Sequence, residues 1–211
     1  MTDAATMNDL ADALAFTGNS LLKPMTQTAT VGLDPAFWDA FPSLGSEAVA
    51  AAAAACGARA AAFAARAEAA GKDAVERCAV EYTKLFVGPP KPAVAPWETM
   101  YREGGADAVG FGQATVEMRA LLREAGLELH NENRQYEDHM GIELLYLSEL
   151  CRRAAAGEAE AGAASAFVDE HPLSWVEAFR TAVAEAAPEG YFDTLLGLVR
   201  ELLLRTKELC A

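Results

Sequence analysis

Residues 81–101 read EYTKLFVGPPKPAVAPWETMY, a helix end that runs directly into a proline-rich loop. The helix is expected from about Asp73 to Phe86, with the Asp73 carboxylate as its cap. Four prolines then restrict the backbone of a segment that holds Trp97 and Tyr101. The stretch therefore predicts a helix joined to a rigid loop that carries large aromatic side chains.

A second unusual stretch, YEDHMGIEL, occupies residues 136–144. It places Asp138 and His139 at the start of a helix that we expect over residues 137–156. That helix is apolar on nearly every side, which is typical of a helix in the centre of a bundle. The two stretches are the natural candidates for one functional site.

Helix signals dominate the rest of the chain, and no segment shows the period-two alternation of β-strands. No Ser/Gly-rich or Pro-rich linker divides the sequence. We therefore expect an all-α helical bundle that forms a single domain over residues 1–211. The predicted helices cover residues 5–23, a short one from 34, then 46–70, 73–86, a turn at 98–103, 107–124, 137–156, 172–186 and 190–209.

The chain is strongly acidic, with 31 Asp and Glu against 17 Lys and Arg and a net charge of −14. This balance disfavours nucleic acid as a partner, because phosphate backbones bind basic surfaces. Residues 1–105 carry 12 acids and 8 bases (−4), whereas residues 106–211 carry 19 and 9 (−10). A cationic partner is thus expected at the C-terminal half. A surface that is acidic only for solubility remains an open alternative.

Cysteine usage and the N-terminus predict a cytoplasmic protein without stable membrane insertion. The N-terminus lacks the basic and apolar regions of a secretory signal. Residues 48–65 come closest to a membrane span, but they are mostly Ala and contain Arg59, so we expect them to insert poorly. Four widely spaced cysteines form no Cys-x-x-Cys pair and no metal-ligand spacing: Cys56, Cys78, Cys151 and Cys210.

The second stretch allows three chemical interpretations. His139 and Glu143 are four residues apart, so they share a helix face and could form a hydrogen bond. In an enzyme, His139 would be a general base, but no recognisable nucleophile accompanies it. A metal site would need more ligands than the pattern offers. In the third interpretation Asp138 caps the helix and His139 is a buried, hydrogen-bonded imidazole.

The loop aromatics allow two interpretations. Prolines that restrict the loop lower the entropy cost when a partner docks against Trp97 and Tyr101. Alternatively, both rings plug the loop onto the core, as aromatic side chains more often do.

Three patterns in the chain resemble those of the TorD/DmsD family of redox-enzyme maturation chaperones. The first family pattern is E-Y-x-x-L-F-x-G-P followed by P-P-[YW]-x-S-x-Y, which residues 81–89 and 96–101 resemble, except that Thr99 replaces the common Ser. The second is an acidic-Asp-His run followed by [LI]-[GA]-x-E-[LF], to which residues 137–144 are similar, with Met140 at the [LI] position. The third is F-x-x-x-H-[LP]-x-x-W-x-x-x-F, which residues 167–179 match. Tyr136 departs from the proline that many members carry there.

The resemblance implies an all-helical, non-catalytic chaperone. Such a protein binds the N-terminal, often twin-arginine, signal of a molybdenum-cofactor oxidoreductase and holds it in the cytoplasm until cofactor loading is complete. It implies no catalytic residue, no metal site and no cofactor for the chaperone itself. A monomer and a helix-swapped homo-oligomer both remain open. The alternatives are an assembly chaperone of the nitrate-reductase type for a non-exported subunit, and a small hydrolase that uses His139.

We expect the two central stretches to form a peptide-binding site. Its members are Tyr82, Leu85, Phe86, Gly88, Pro89, Pro96, Trp97, Tyr101, Asp138, His139 and Glu143.

Overall fold

A computed structural model of the chain describes residues 3–102, 111–129 and 135–211. Over these ranges the protein consists of α-helices joined by turns and two short 3-10 helices, and it contains no β-strand. The all-α prediction is therefore confirmed. The ten α-helices of these ranges are α1 (Ala4–Leu22), α2 (Pro35–Asp39), α3 (Glu47–Ala69), α4 (Ala74–Phe86), α5 (Thr99–Arg102), α6 (Gln113–Glu124), α7 (Met140–Ala155), α8 (Gly162–Glu170), α9 (Pro172–Ala186) and α10 (Tyr191–Cys210).

Two predicted helix starts follow directly from capping side chains. Asp34 accepts a hydrogen bond from the amide of Ala36 at 2.9 Å, and Pro35 fills the first turn of α2, where its missing N–H costs nothing. Asp73 accepts one from the amide of Glu76 at 2.9 Å at the start of α4. Both predicted starts are confirmed, because each cap is a local interaction.

Three helices differ from the sequence prediction. Helix α7 begins at Met140 rather than at 137, because residues 136–139 are held outside the helix by tertiary hydrogen bonds. Helix α6 begins at Gln113 rather than at 107, and residues 107–110 lie outside the described part of the chain. Helix α8 was not predicted. Its sequence, GAASAFVDE, has too few large apolar residues to show a helical stripe.

Helices α1 and α7 cross where both carry glycine. A Cβ atom at Gly18 would lie 2.9 Å from the carbonyl oxygen of Gly141, and one at Gly141 would lie 2.7 Å from the carbonyl oxygen of Gly18. Only glycine allows the two backbones to come this close. Ser148 of α7 donates a hydrogen bond to the carbonyl of Ala11 at 2.7 Å, so the contact continues along both helices.

Helix α10 lies in the core and packs against α1, α3, α8 and α9. Its Phe192 contacts Phe86 of α4 with ring centroids 5.2 Å apart. Helix α3 packs its small residues on this core, and the thiol of Cys56 donates to the carbonyl of Thr194 at 3.3 Å. All four cysteines are free and buried.

By length and composition α3 is able to cross a membrane, which differs from our expectation for residues 48–65. A third of its apolar window is buried inside the protein. One helix of this kind is weak evidence for a span, since core helices of soluble proteins meet the same criterion.

Gly141→Ala is expected to destabilise the protein by about 1–3 kcal/mol, because the new methyl group would collide with the α1 backbone. Gly197→Ala is the matched control. It also lies within a helix, and its Cβ would meet nothing closer than 3.7 Å. This control should be neutral or more stable than wild type by up to about 1 kcal/mol, owing to helix propensity. Urea denaturation of both variants checks the prediction, and equal stabilities would contradict it.

Candidate functional site

The two sequence stretches lie side by side in the structure. Trp97 and His139 form an isolated antiparallel bridge. The amide of Glu98 donates to the carbonyl of Asp138 at 2.9 Å, and the amide of Met140 donates to the carbonyl of Pro96 at 3.0 Å. The segment before α5 is thereby tied to the segment before α7, although about forty residues separate them in sequence.

Asp138 is fully buried and its carboxylate joins α5 to α6. One oxygen accepts a hydrogen bond from the amide of Thr99 at 3.0 Å, and the other accepts one from the hydroxyl of Thr115 at 3.0 Å. In the third interpretation of the sequence, Asp138 caps its own helix. The carboxylate instead binds the N-terminus of α5. Its hydrogen-bonding capacity is used inside the protein, so Asp138 presents no charge at the surface.

His139 caps α7. Its Nδ1 accepts a hydrogen bond from the amide of Gly141 at 3.0 Å, which places the ring proton on Nε2. Burial lowers the pKa of His139 to about 3, so the ring is neutral at physiological pH. Nε2 has no hydrogen-bond partner among the described residues, and the side-chain hydrogen bond expected between His139 and Glu143 is not formed.

Glu143 instead faces Trp175 and Glu98. Its Oε2 accepts a hydrogen bond from Nε1 of Trp175 at 3.1 Å. Burial, together with the neighbouring Glu98 carboxyl, raises the pKa of Glu143 well above its ordinary value. Oε1 of Glu143 and Oε1 of Glu98 have no hydrogen-bond partner in the described ranges.

Glu98 brings the third sequence pattern into the same cluster. It is fully buried, and its Oε2 lies 2.9 Å from Nδ1 of His171. The His171 ring stacks on Phe167 with centroids 5.0 Å apart, and Arg102 approaches Glu98 at 3.3 Å. All three patterns therefore converge on one buried polar cluster, defined by Glu98, Asp138, His139, Glu143, His171 and Trp175. In the described ranges no three His, Cys, Asp or Glu side chains are placed to hold a metal ion.

The predicted aromatics of α4 and the loop mostly lie in the core. Tyr82 and Phe86 pack together with centroids 5.4 Å apart, and Leu85 is fully buried beside them. Tyr101 stacks on Trp175 at 5.2 Å, and its hydroxyl donates to the carbonyl of Ala95 at 2.9 Å. Tyr101 thus anchors the loop, as the second interpretation of the sequence held. Pro96 is also buried, whereas Gly88 and Pro89 line a surface groove.

One group of aromatic rings remains at the surface above the buried cluster. Half-buried Trp97 contacts Tyr136 with centroids 5.8 Å apart, and Tyr136 contacts Phe111 at 6.0 Å. Phe111 is 50% exposed and Tyr136 is 36% exposed. Arg119 lies over the Phe111 ring at 5.6 Å. We call Trp97, Tyr136 and Phe111 the aromatic patch. Sequence analysis missed Phe111, which belongs to none of the three patterns.

Comparison with known proteins first identifies the class of protein to which the chain belongs. The backbone superimposes on a crystal structure from Archaeoglobus fulgidus assigned to redox enzyme maturation, with a TM-score of 0.50 over 94% of this chain and 93% of the other. At 18% identity this likeness shows the shared fold. Residues 49–181 match the model of the nitrate reductase delta subunit family, and the chain therefore belongs to that family.

Among curated relatives, the chain is similar to the chaperone protein TorD of Vibrio cholerae, 28% identical over 142 residues, which are 64% of this chain and 63% of the relative. The TorD chaperone of Vibrio vulnificus is 24% identical over 134 residues, 61% of each chain. The matches thus span somewhat less than two thirds of these relatives. The resemblance to the TorD/DmsD family is confirmed, and these relatives are named as chaperones.

Glu143→Gln is expected to abolish the decrease in the free energy of unfolding that Glu143 causes in the wild-type protein as pH rises. Because folding raises the pKa of Glu143 above 4.5, its contribution to stability is complete below that pH and declines as pH rises toward the raised value. A glutamine amide can accept from Trp175 and donate toward Glu98 at every pH. The free energy of unfolding of the variant, relative to wild type, should therefore increase from about pH 5 to about pH 8.

The matched control is Glu158→Gln, which removes the same charge at an exposed position after α7. Its stability should follow the wild-type pH profile in urea denaturation. A Glu143→Gln profile parallel to wild type would contradict the raised pKa of Glu143.

Proposed function

We propose that the protein is a cytoplasmic chaperone for a molybdenum-cofactor oxidoreductase, whose N-terminal signal it binds until the cofactor has been inserted. The aromatic patch carries this proposal. It is an exposed apolar surface held in place by the buried cluster on which the three family patterns converge. The chaperone names of the curated relatives support the same function.

The patch has the properties of a peptide-binding surface. Rings fixed by a packed scaffold provide contact area at a small entropy cost. The apolar part of a signal would lie on these rings. Its arginines would be attracted by the net charge of −10 on residues 106–211.

Burial divides the predicted site residues into two roles. Trp97 remains a candidate for direct contact, and Tyr136 and Phe111 join it. Asp138, His139 and Glu143 are fully buried, so in this proposal they position the patch and do not touch the peptide. Tyr82, Leu85, Phe86 and Tyr101 support the same surface from the core.

A second candidate function is the assembly of an enzyme subunit that carries no export signal. The family model, described as the nitrate reductase delta subunit, favours it. Both functions use an apolar patch. They differ in whether the bound segment needs a pair of arginines.

The purified protein should bind a synthetic peptide with two consecutive arginines followed by an apolar stretch, as measured by calorimetry. Affinity should fall with added salt, because exposed charge pairs are screened. Trp97→Ala and Phe111→Ala should each weaken binding by about 1–3 kcal/mol, the scale of an interface anchor. Val31→Ala, at another exposed apolar side chain, should bind as wild type does.

Three results would contradict the first proposal. Absence of binding to the arginine peptide would remove it. Equal binding of a peptide with both arginines changed to glutamine would favour the non-exported client. If Trp97→Ala lowers the melting temperature while the folded protein binds normally, Trp97 is a core residue and the patch is not the site.

A further inference from the structure

Helix α4 and the residue that follows it expose two large apolar side chains on a face that the core does not use. The inner face of α4 buries Tyr82 and Phe86. Its outer face follows the helical spacing i, i+3, i+4, i+7 and consists of Val80, Thr83, Lys84 and Val87. Val80 is 68% exposed and Val87 is 51% exposed, and both are large apolar side chains. The core does not use these two side chains, so they are available to a partner.

The loop after α4 forms the other wall of a groove. The groove has a volume of about 430 Å³ and runs between this outer face and residues 88–93. The loop is fixed on α4, because the amide of Gly88 donates to the carbonyl of Thr83 at 2.8 Å and that of Val94 to the carbonyl of Leu85 at 2.9 Å. We call this surface the α4 groove.

Gly88 allows the loop to fold back on itself. Its φ is +101°, and a Cβ atom there would lie 2.7 Å from the carbonyl group of Lys91. The groove wall is therefore built into the backbone, so a ligand need not order it on binding.

The charge of the groove is opposite to that of the whole protein. Residues 82–97 contain no Asp or Glu, in a chain that has 31 of them. Two of the five lysines of the chain, Lys84 and Lys91, line the groove. Both side chains are exposed, and neither forms an ion pair with a described residue. The groove thus combines apolar walls with two cationic groups that have no carboxylate partner.

We propose that the α4 groove binds an acidic, apolar peptide segment, in which carboxylates flank apolar side chains, as a second contact with the client enzyme. The proposal rests on the proposed function for the identity of the client. Val80 and Pro89 would contact the apolar side chains, and the two lysines would pair with the carboxylates. A cationic signal has the wrong charge for this groove, so the two segments bind at different places.

Charge complementarity also makes the groove selective. A net charge of −14 repels acidic ligands from the rest of the surface, which leaves the groove as the favoured place for them. The same loop ends at Trp97 of the aromatic patch. One rigid loop would therefore contact two segments of a client with opposite charge.

The test uses fluorescence anisotropy of a labelled peptide made of leucine, alanine and glutamate. A matched peptide carries lysine at every glutamate position. The acidic peptide should bind and the basic peptide should not compete for the groove. Lys84→Glu combined with Lys91→Glu should weaken binding of the acidic peptide at least about tenfold, because two attractive pairs become repulsive. Val80→Ser should also weaken it, through lost apolar contact.

The control is Lys23→Glu combined with Lys72→Glu, which changes the net charge equally outside the groove. It should bind the acidic peptide within about twofold of wild type, since charges that do not line the groove are screened. Equal weakening by both double variants would overturn the proposal, as would no binding or equal binding of the basic peptide. Light scattering that shows wild-type dimers lost in Lys84→Glu would make the groove a contact between copies, which also overturns it.

The two proposals can fail separately. Groove variants should keep wild-type affinity for the twin-arginine peptide, and Trp97→Ala should keep wild-type affinity for the acidic peptide. Acidic-peptide binding without twin-arginine binding would remove the signal-binding proposal and leave the groove. The reverse result would remove the groove alone.

Discussion

The arrangement of the functional region depends on one constraint, the burial of the Asp138 carboxylate. A carboxylate removed from water is stable only if donors replace the lost solvent. Here the donors are the amide of Thr99 and the hydroxyl of Thr115, which belong to two helices distant from Asp138 in sequence. Satisfying one side chain thus fixes α5 and α6 against the start of α7.

Other buried polar groups extend the same constraint. Glu98 forms a hydrogen bond with His171, and Glu143 accepts one from Trp175. These buried contacts hold α9 against α5 and α7. The glycine crossing of α1 and α7 adds a geometric limit, because it brings the two backbones together at one place. Interactions of this kind specify a unique arrangement more strongly than apolar packing, which tolerates small shifts.

The surface over this interior has two regions of different chemistry, the aromatic patch and the α4 groove. Trp97 and Tyr136 belong to the two segments that the Trp97–His139 bridge joins, so an aromatic patch forms where two loops meet. On α4 and the proline-rich loop, Lys84 and Lys91 line the α4 groove. The patch and the groove present different chemistry from adjacent parts of one loop, which suits a chaperone that holds a client by more than one segment.

Several elements could be predicted because their causes are local. Asp34 and Asp73 cap the helices that follow them, and the all-apolar character of α7 predicts a central helix. The start of α7 could not be placed, since residues before Met140 bond to the 96–99 segment instead of extending the helix. The residue patterns located the cluster, but they did not show whether its members face water. No sequence pattern included Phe111, because the aromatic residue that it contacts, Tyr136, lies in another loop.

The sequence by itself determined the helical class, the acidic balance and the family, since these follow from residue types, spacing and ordered motifs along the chain. Only the tertiary structure decided which motif residues are accessible. The sequence left open whether Asp138, His139 and Glu143 contact a partner or lie in the core, and the structure buries all three. Burial depends on what other segments cover a side chain, and here those segments lie tens of residues away. Tertiary contacts also distinguish the two loop aromatics. Tyr101 stacks on Trp175, whereas the Trp97 side chain stays partly exposed.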